Sequence, residues 1–99
     1  MFYILQGKIP IPCDDIEEWT KWLIGSLADA SRVVAQEEVG DYWVSTVFVG
    51  TSIGPLPMFE TMVFDAKRLH SMYQERYPTW ELALEGHRRA VEWARNRTN

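Results

Sequence analysis

The chain has 99 residues, 46% apolar and 24% charged, with a net charge of −4, and that length bounds it to one domain, residues 1–99. Its single cysteine, Cys13, excludes an internal disulfide, and no apolar run approaches the roughly 20 residues of a membrane span. The cations cluster only at Arg88, Arg89, Arg95 and Arg97, interleaved with Glu85 and Glu92, so a phosphate-tracking nucleic-acid surface is not expected.

The opening MFYILQGK has neither a charged leader nor a long apolar core. No signal peptide is expected, and the default compartment is the cytoplasm. Phe2 to Leu5 is a short β-type run, Gln6-Gly7-Lys8 a turn signal, and Ile9-Pro10-Ile11-Pro12 a piece whose prolines cannot donate to a ladder. Residues 2–12 therefore read as a loose hairpin or an edge strand with a return.

A helix over about 14–28 follows, with Asp14 as its N-cap and Asp15, Glu17 and Glu18 at the positive end of its dipole. Ile16, Trp19, Leu23 and Leu27 fall on one stripe, with Trp22 beside it. The two tryptophans read as packing residues. Residues 32–39 predict a strand, and Gly40-Asp41 a two-residue hairpin turn. Residues 42–49 are β-branched or aromatic nearly throughout and form the clearest strand. A loop at 50–57, a strand at 58–64, an irregular stretch at 65–69 and a fourth meander strand at 70–77 come next. Thr79 caps a last helix that places Trp80, Ala83, Leu84, His87, Val91 and Ala94 on one face. The end, 96–99, is expected to fray.

The order β(β)-α-β-β-β-β-α, with tight turns between strands, predicts an α+β domain. Its antiparallel meander has four to five strands, with two helices packed on one face.

Pairing sharpens the middle of the sheet. The Gly40-Asp41 turn sets Gln36 opposite Ser45 and Ala35 opposite Thr46. A loop centred near Ile53 sets Thr46 opposite Glu60 and Ser45 opposite Thr61, although its length leaves room for a one-residue slip. On this register both faces carry large apolar residues, Trp43, Val47 and Phe59 among those on the second. Two helices cover one face, so self-association is the simplest cover for the other. Ser45, Thr46, Glu60 and Thr61 make a polar band. It reads either as a self-satisfied cross-strand network or as a small binding site bordered by Trp43, Trp80 and His87.

The strings VSTVFVG (44–50), FETMVF (59–64) and YPTWELALEGHRRAV (77–91) resemble a group of small proteins encoded by bacteriophages and some actinobacterial genomes. Those proteins tend to read STVFLG, then a Gly/Pro-rich loop, FETMVFGG and a closing YxTWEEAxxGH helix. The opening GKIPIPCDDIEEWTKWL also resembles their start. This chain departs in having a short 50–57 loop, and Asp65-Ala66 in place of paired glycines. The resemblance implies a phage-type setting and no particular activity.

No phosphate loop, CxxC, HExxH or GxSxG is present. His87 reads as a packed residue of the helix face, and Glu60–His87 is the one acid–imidazole pair expected to meet. No catalytic residue, metal ligand or cofactor is assigned, and enzyme activity is not expected. Cys13 precedes a helix N-terminus without a histidine nearby. The expected function is a small accessory protein that forms homodimers and binds or inhibits a host protein. The alternatives are a small-molecule or nucleotide binder using Trp43, Ser45, Thr46, Glu60, Thr61, Trp80 and His87, and a minor particle or assembly component.

Overall fold

The computed structural model describes residues 2–51, 58–65, 67 and 71–97. Most of the 50–57 loop, His70 and the last two residues lie outside the described residues. In chain order the elements are β1 (Phe2–Gln6), β2 (Ile9–Cys13), α1 (Ile16–Asp29), β3 (Val33–Val39), β4 (Tyr42–Phe48), β5 (Phe59–Asp65), β6 (Ser71–Tyr77) and α2 (Trp80–Arg95). β1 and β2 form a two-stranded sheet, and β3-β4-β5-β6 a four-stranded antiparallel meander. The fold is α+β.

Local chemistry accounts for most boundaries. Gly7 and Gly40 both adopt left-handed backbone, at φ +63° and +61°, in the two hairpin turns, the conformation such turns require and glycine supplies without strain. Pro10 and Pro12 lie two apart in β2, so their missing N–H groups both fall on its outer edge, away from the β1 ladder. The N-cap of α1 is Asp15, not Asp14: its carboxylate accepts from the amides of Glu17 at 2.9 Å and Glu18 at 3.5 Å. Thr79 caps α2 as expected, accepting from Leu82 N–H.

The two helices divide between the sheets. α2 crosses all four strands of the meander, whereas α1 packs on the β1–β2 hairpin. A joint at the end of β4 connects the halves. Tyr3 N–H donates to the Gly50 carbonyl at 2.9 Å, and the Trp19 indole N–H is shared between the carbonyls of Tyr3 (3.1 Å) and Gly50 (3.0 Å). Trp22 then meets Phe48 edge-on, 5.7 Å between ring centres. Placing the hairpin beyond the sheet rather than over it makes the body long, 47 × 24 × 22 Å. The radius of gyration is 14.2 Å, against about 13 Å for a compact chain of this size.

The face of the meander under α2 holds two apolar clusters. Leu5, Phe48, Phe59, Tyr77 and Ala83 form one; Val44, Val63, Ala90, Val91 and Ala94 form the other. Burying a side chain such as Phe48 or Val63 is worth about 1.5–3 kcal/mol, so these clusters hold α2 on the sheet.

The β3–β4 register is the expected one, with Gln36 opposite Ser45 and Ala35 opposite Thr46. The β4–β5 register is not. Thr46 pairs with Thr61, Val47 with Glu60 and Ser45 with Met62, one residue away from the expected pairing of Thr46 with Glu60 and Ser45 with Thr61. The turn of 40–41 is two residues long and sets its strands rigidly. The connection from β4 to β5 is long and does not. Because side chains alternate, that one-residue slip sends Phe59 and Thr61 to the helix face and Glu60 and Met62 to the other.

Candidate functional site

The corrected register divides the expected polar band between the two faces. Thr46, Thr61 and His87 come together beneath α2, and all three are buried. Trp43, Ser45 and Glu60 stand half-buried on the opposite face. Trp80 joins neither group. It packs edge-on against Phe59 at 6.2 Å, with the Lys8 ammonium 5.7 Å from its ring centre. Two helical turns, about 10 Å, separate Trp80 from His87.

Beneath α2, one row across the sheet reads Ala35, Thr46, Thr61, Glu75. It lies between the two apolar clusters. The small side chains of this row leave room for an imidazole, and α2 supplies it: His87 sits one turn after Ala83 of the first cluster and one turn before Val91 of the second. His87 Nδ1 is 2.7 Å from Thr46 Oγ1, which is 2.5 Å from Thr61 Oγ1. His87 Nε2 is 3.0 Å from Glu37 Oε1. The acid that meets His87 is therefore Glu37 on β3, not Glu60.

Hydrogen-bond logic sets the directions. In the tautomer with its proton on Nε2, His87 donates to the Glu37 carboxylate, which only accepts. Nδ1 then accepts from the Thr46 hydroxyl, and Thr46 in turn accepts from Thr61. Acid, imidazole and hydroxyl thus stand in the order of an acyl-transfer triad. Thr46 is completely buried, however, and its hydroxyl is engaged by Thr61 and His87. A substrate has no approach to it while α2 is seated, and the geometry satisfies buried polar groups instead.

The row continues at the β6 edge. Tyr77 is buried, its hydroxyl lies near Thr61 and Glu75, and that hydroxyl makes no well-formed hydrogen bond among the described residues. Burial raises its pKa. The Tyr73 hydroxyl donates to Glu75 Oε2 at 2.7 Å, and Arg89 donates to Glu75 Oε1 at 3.2 Å. Tyr73 is pushed up to about 12, first by burial and then by this hydrogen bond. The same hydrogen bond holds the Glu75 carboxyl below its ordinary value. Outside the row, Glu37 borders an open cleft of about 330 Å³, lined also by Arg88, Val91, Glu92 and Arg95.

The opposite face has its own polar set. Glu60 pairs with Arg76 at 3.0 Å and accepts from Gln74 at 2.6 Å, and Gln36 donates to Ser45 at 2.9 Å. Around these stand Trp43 opposite Phe64, with Val47 and Met62 alongside. No described helix packs over them. Phe59, expected on this face, is completely buried under α2.

Glu37, Glu75 and Tyr77 were not among the residues singled out from sequence. Glu37 carried a signal, since the β3–β4 register places it on the Thr46 face, two residues on from Ala35. Cys13 is buried, and its thiol donates to the Asp15 carbonyl at 3.4 Å. Among the described residues no group of three or more His, Cys, Asp or Glu side chains is placed to hold a metal ion, and no helix is long and apolar enough to cross a membrane. The chain matches no protein-family model, no curated protein and no solved structure.

Proposed function

We propose that this protein is a non-catalytic interaction module of the phage-accessory type, which pairs with a second copy through the open face of its meander and engages a host protein. The observation that carries the self-association is the Trp43–Phe64 pair, with Met62 beside it, on a sheet face that no described helix covers. An apolar centre with a polar surround is the anatomy of a protein contact. Here the surround is Gln36, Ser45, Glu60, Gln74 and Arg76. Two copies of this face paired about a two-fold axis would bury the same residues from each copy. The host-protein element draws on the sequence resemblance and on the acidic charge.

Binding of a small molecule at the polar band has less support. The band is split between the two faces of the sheet, and Thr46 and Thr61 are both wholly buried, so no ligand reaches all four of its residues at once and one at the threonines has to displace α2.

Light scattering coupled to size exclusion tests the proposal. The expected result is a dimer that Trp43→Glu converts to a monomer with its far-UV circular dichroism unchanged. A wild-type monomer at all accessible concentrations overturns it.

A further inference from the structure

α1 presents an apolar stripe that none of the described residues covers. Ile16, Ile24 and Leu27 are 58%, 64% and 64% exposed. At 3.6 residues per turn they share about 100° of arc with Thr20 and the half-buried Leu23. The adjoining arc, Trp19, Trp22 and Ser26, is the one that packs toward the hairpin and β4; Ser26 is the helix's one fully buried residue. The apolar surface of α1 thus extends well beyond its seat.

The charge on this segment is as lopsided as its hydrophobicity. Residues 14–29 contain Asp14, Asp15, Glu17, Glu18 and Asp29 against Lys21 alone, a net charge of −4. That is the whole net charge of the chain, whose remaining nine acidic and nine basic side chains cancel. All six of these charged side chains are exposed. Asp14, Asp15, Glu17 and Glu18 gather at one end of the stripe, and Asp29 stands at the other.

We infer that the exposed stripe of α1 is a docking site for a cationic amphipathic helix of a partner protein. Such a helix lays apolar anchors at i, i+3/i+4 and i+7 along Ile16, Leu23, Ile24 and Leu27. Its Lys or Arg side chains meet the carboxylates, which speed encounter and reject acidic competitors. An anionic membrane surface is disfavoured by the same carboxylates. A second copy of α1 brings four further acidic residues in one cluster against a single Lys21. The inference shares with the proposed function the view of the protein as an interaction module, but it uses a different surface.

The test is calorimetric titration of the full chain with two model peptides of identical Leu spacing. One carries lysine at every polar position and the other glutamate. The lysine peptide is expected to bind one per chain, about tenfold or more tighter than the glutamate peptide, and Ile24→Glu with Leu27→Glu is expected to weaken it by a similar factor. Both positions are exposed, so the melting temperature of that variant should stay unchanged. Trp43→Glu should leave peptide binding intact, which separates this inference from failure of the sheet-face dimer. Equal binding of both peptides, binding indifferent to Ile24→Glu and Leu27→Glu, no binding, or capture by anionic phosphatidylserine vesicles in place of the peptide overturns the inference. So does a dimer that those two α1 substitutions, rather than Trp43→Glu, convert to a monomer, because the occupant is then a second copy.

Discussion

His87 on α2 and Thr46 on β4, 41 residues apart in sequence, stand 2.7 Å from each other through Nδ1 and Oγ1, both buried beneath the helix. The contact is a polar layer between two greasy ones. Apolar surfaces slide on one another at small cost, whereas a buried imidazole finds its hydroxyl in one position only. The pair therefore sets where along the sheet α2 comes to rest.

Thr46→Val keeps the shape of the side chain and removes the hydroxyl, leaving His87 Nδ1 and Thr61 without their partner. Chemical denaturation should show a loss of about 1–3 kcal/mol. Thr61→Val should cost less than Thr46→Val, since it removes one contact of the layer rather than two. Glu37→Gln should cost under about 1 kcal/mol, because the Glu37 side chain is 49% exposed and water can replace it. A Glu37 substitution more damaging than Thr46→Val would show that the layer is organised from its outer end.

Two helical glycines should respond in opposite senses to alanine. A Cβ on Gly86 would stand 2.0 Å from Tyr77 Cζ and 2.1 Å from its hydroxyl oxygen, whereas one on Gly25 meets nothing within 4 Å. Gly86 is the place where the Tyr77 ring lies against the helix backbone. Gly86→Ala should therefore destabilise by about 3 kcal/mol or more, as overpacking of a filled core does. Part of that loss should return when Tyr77→Val is added. Gly25→Ala should stabilise by about 0.5–1 kcal/mol through helix propensity. Thermal melts of the four proteins decide this, and equal behaviour of the two alanines would refute the Tyr77–Gly86 contact.

The Tyr73–Glu75 pair makes stability depend on pH at both extremes. In the folded chain Tyr73 keeps its proton up to about 12, against 10.0 when free. The stability it contributes is whole below pH 10 and is lost as pH rises from 10 toward 12, where only the unfolded chain has released the proton. Glu75 runs the other way. Its carboxyl is held low by the Tyr73 hydroxyl, so its contribution is present above the ordinary carboxylate value and disappears as pH falls below it. Tyr73→Phe removes one alkaline titration and the donor to Glu75. Its melting temperature should therefore fall less steeply than wild type on both flanks. Superimposable pH profiles would show that the hydrogen bond is not formed in solution.

Much of this architecture was legible in the residues themselves. Glycines at 7 and 40, prolines at 10 and 12, the Thr79 cap and the β-branched and aromatic run along 42–48 act on their immediate neighbours, and local effects can be read locally. They set the eight elements, the β3–β4 register and the burial of His87. A displaced cap, Asp15 for Asp14, is the size of error such signals allow.

Three matters needed the folded chain. The connection between β4 and β5 is too long to impose a register, so packing chose it, and with a period of two that choice sent Thr61 inward and Glu60 outward together. The partner of His87 is Glu37, 50 residues away, and only the crossing of α2 over the edge strand brings them together. The division of the two helices between two sheets rests on Trp19 and Trp22 reaching Tyr3, Gly50 and Phe48. Contacts between distant residues arise from the sum of burial over the whole molecule, which no short stretch of sequence contains.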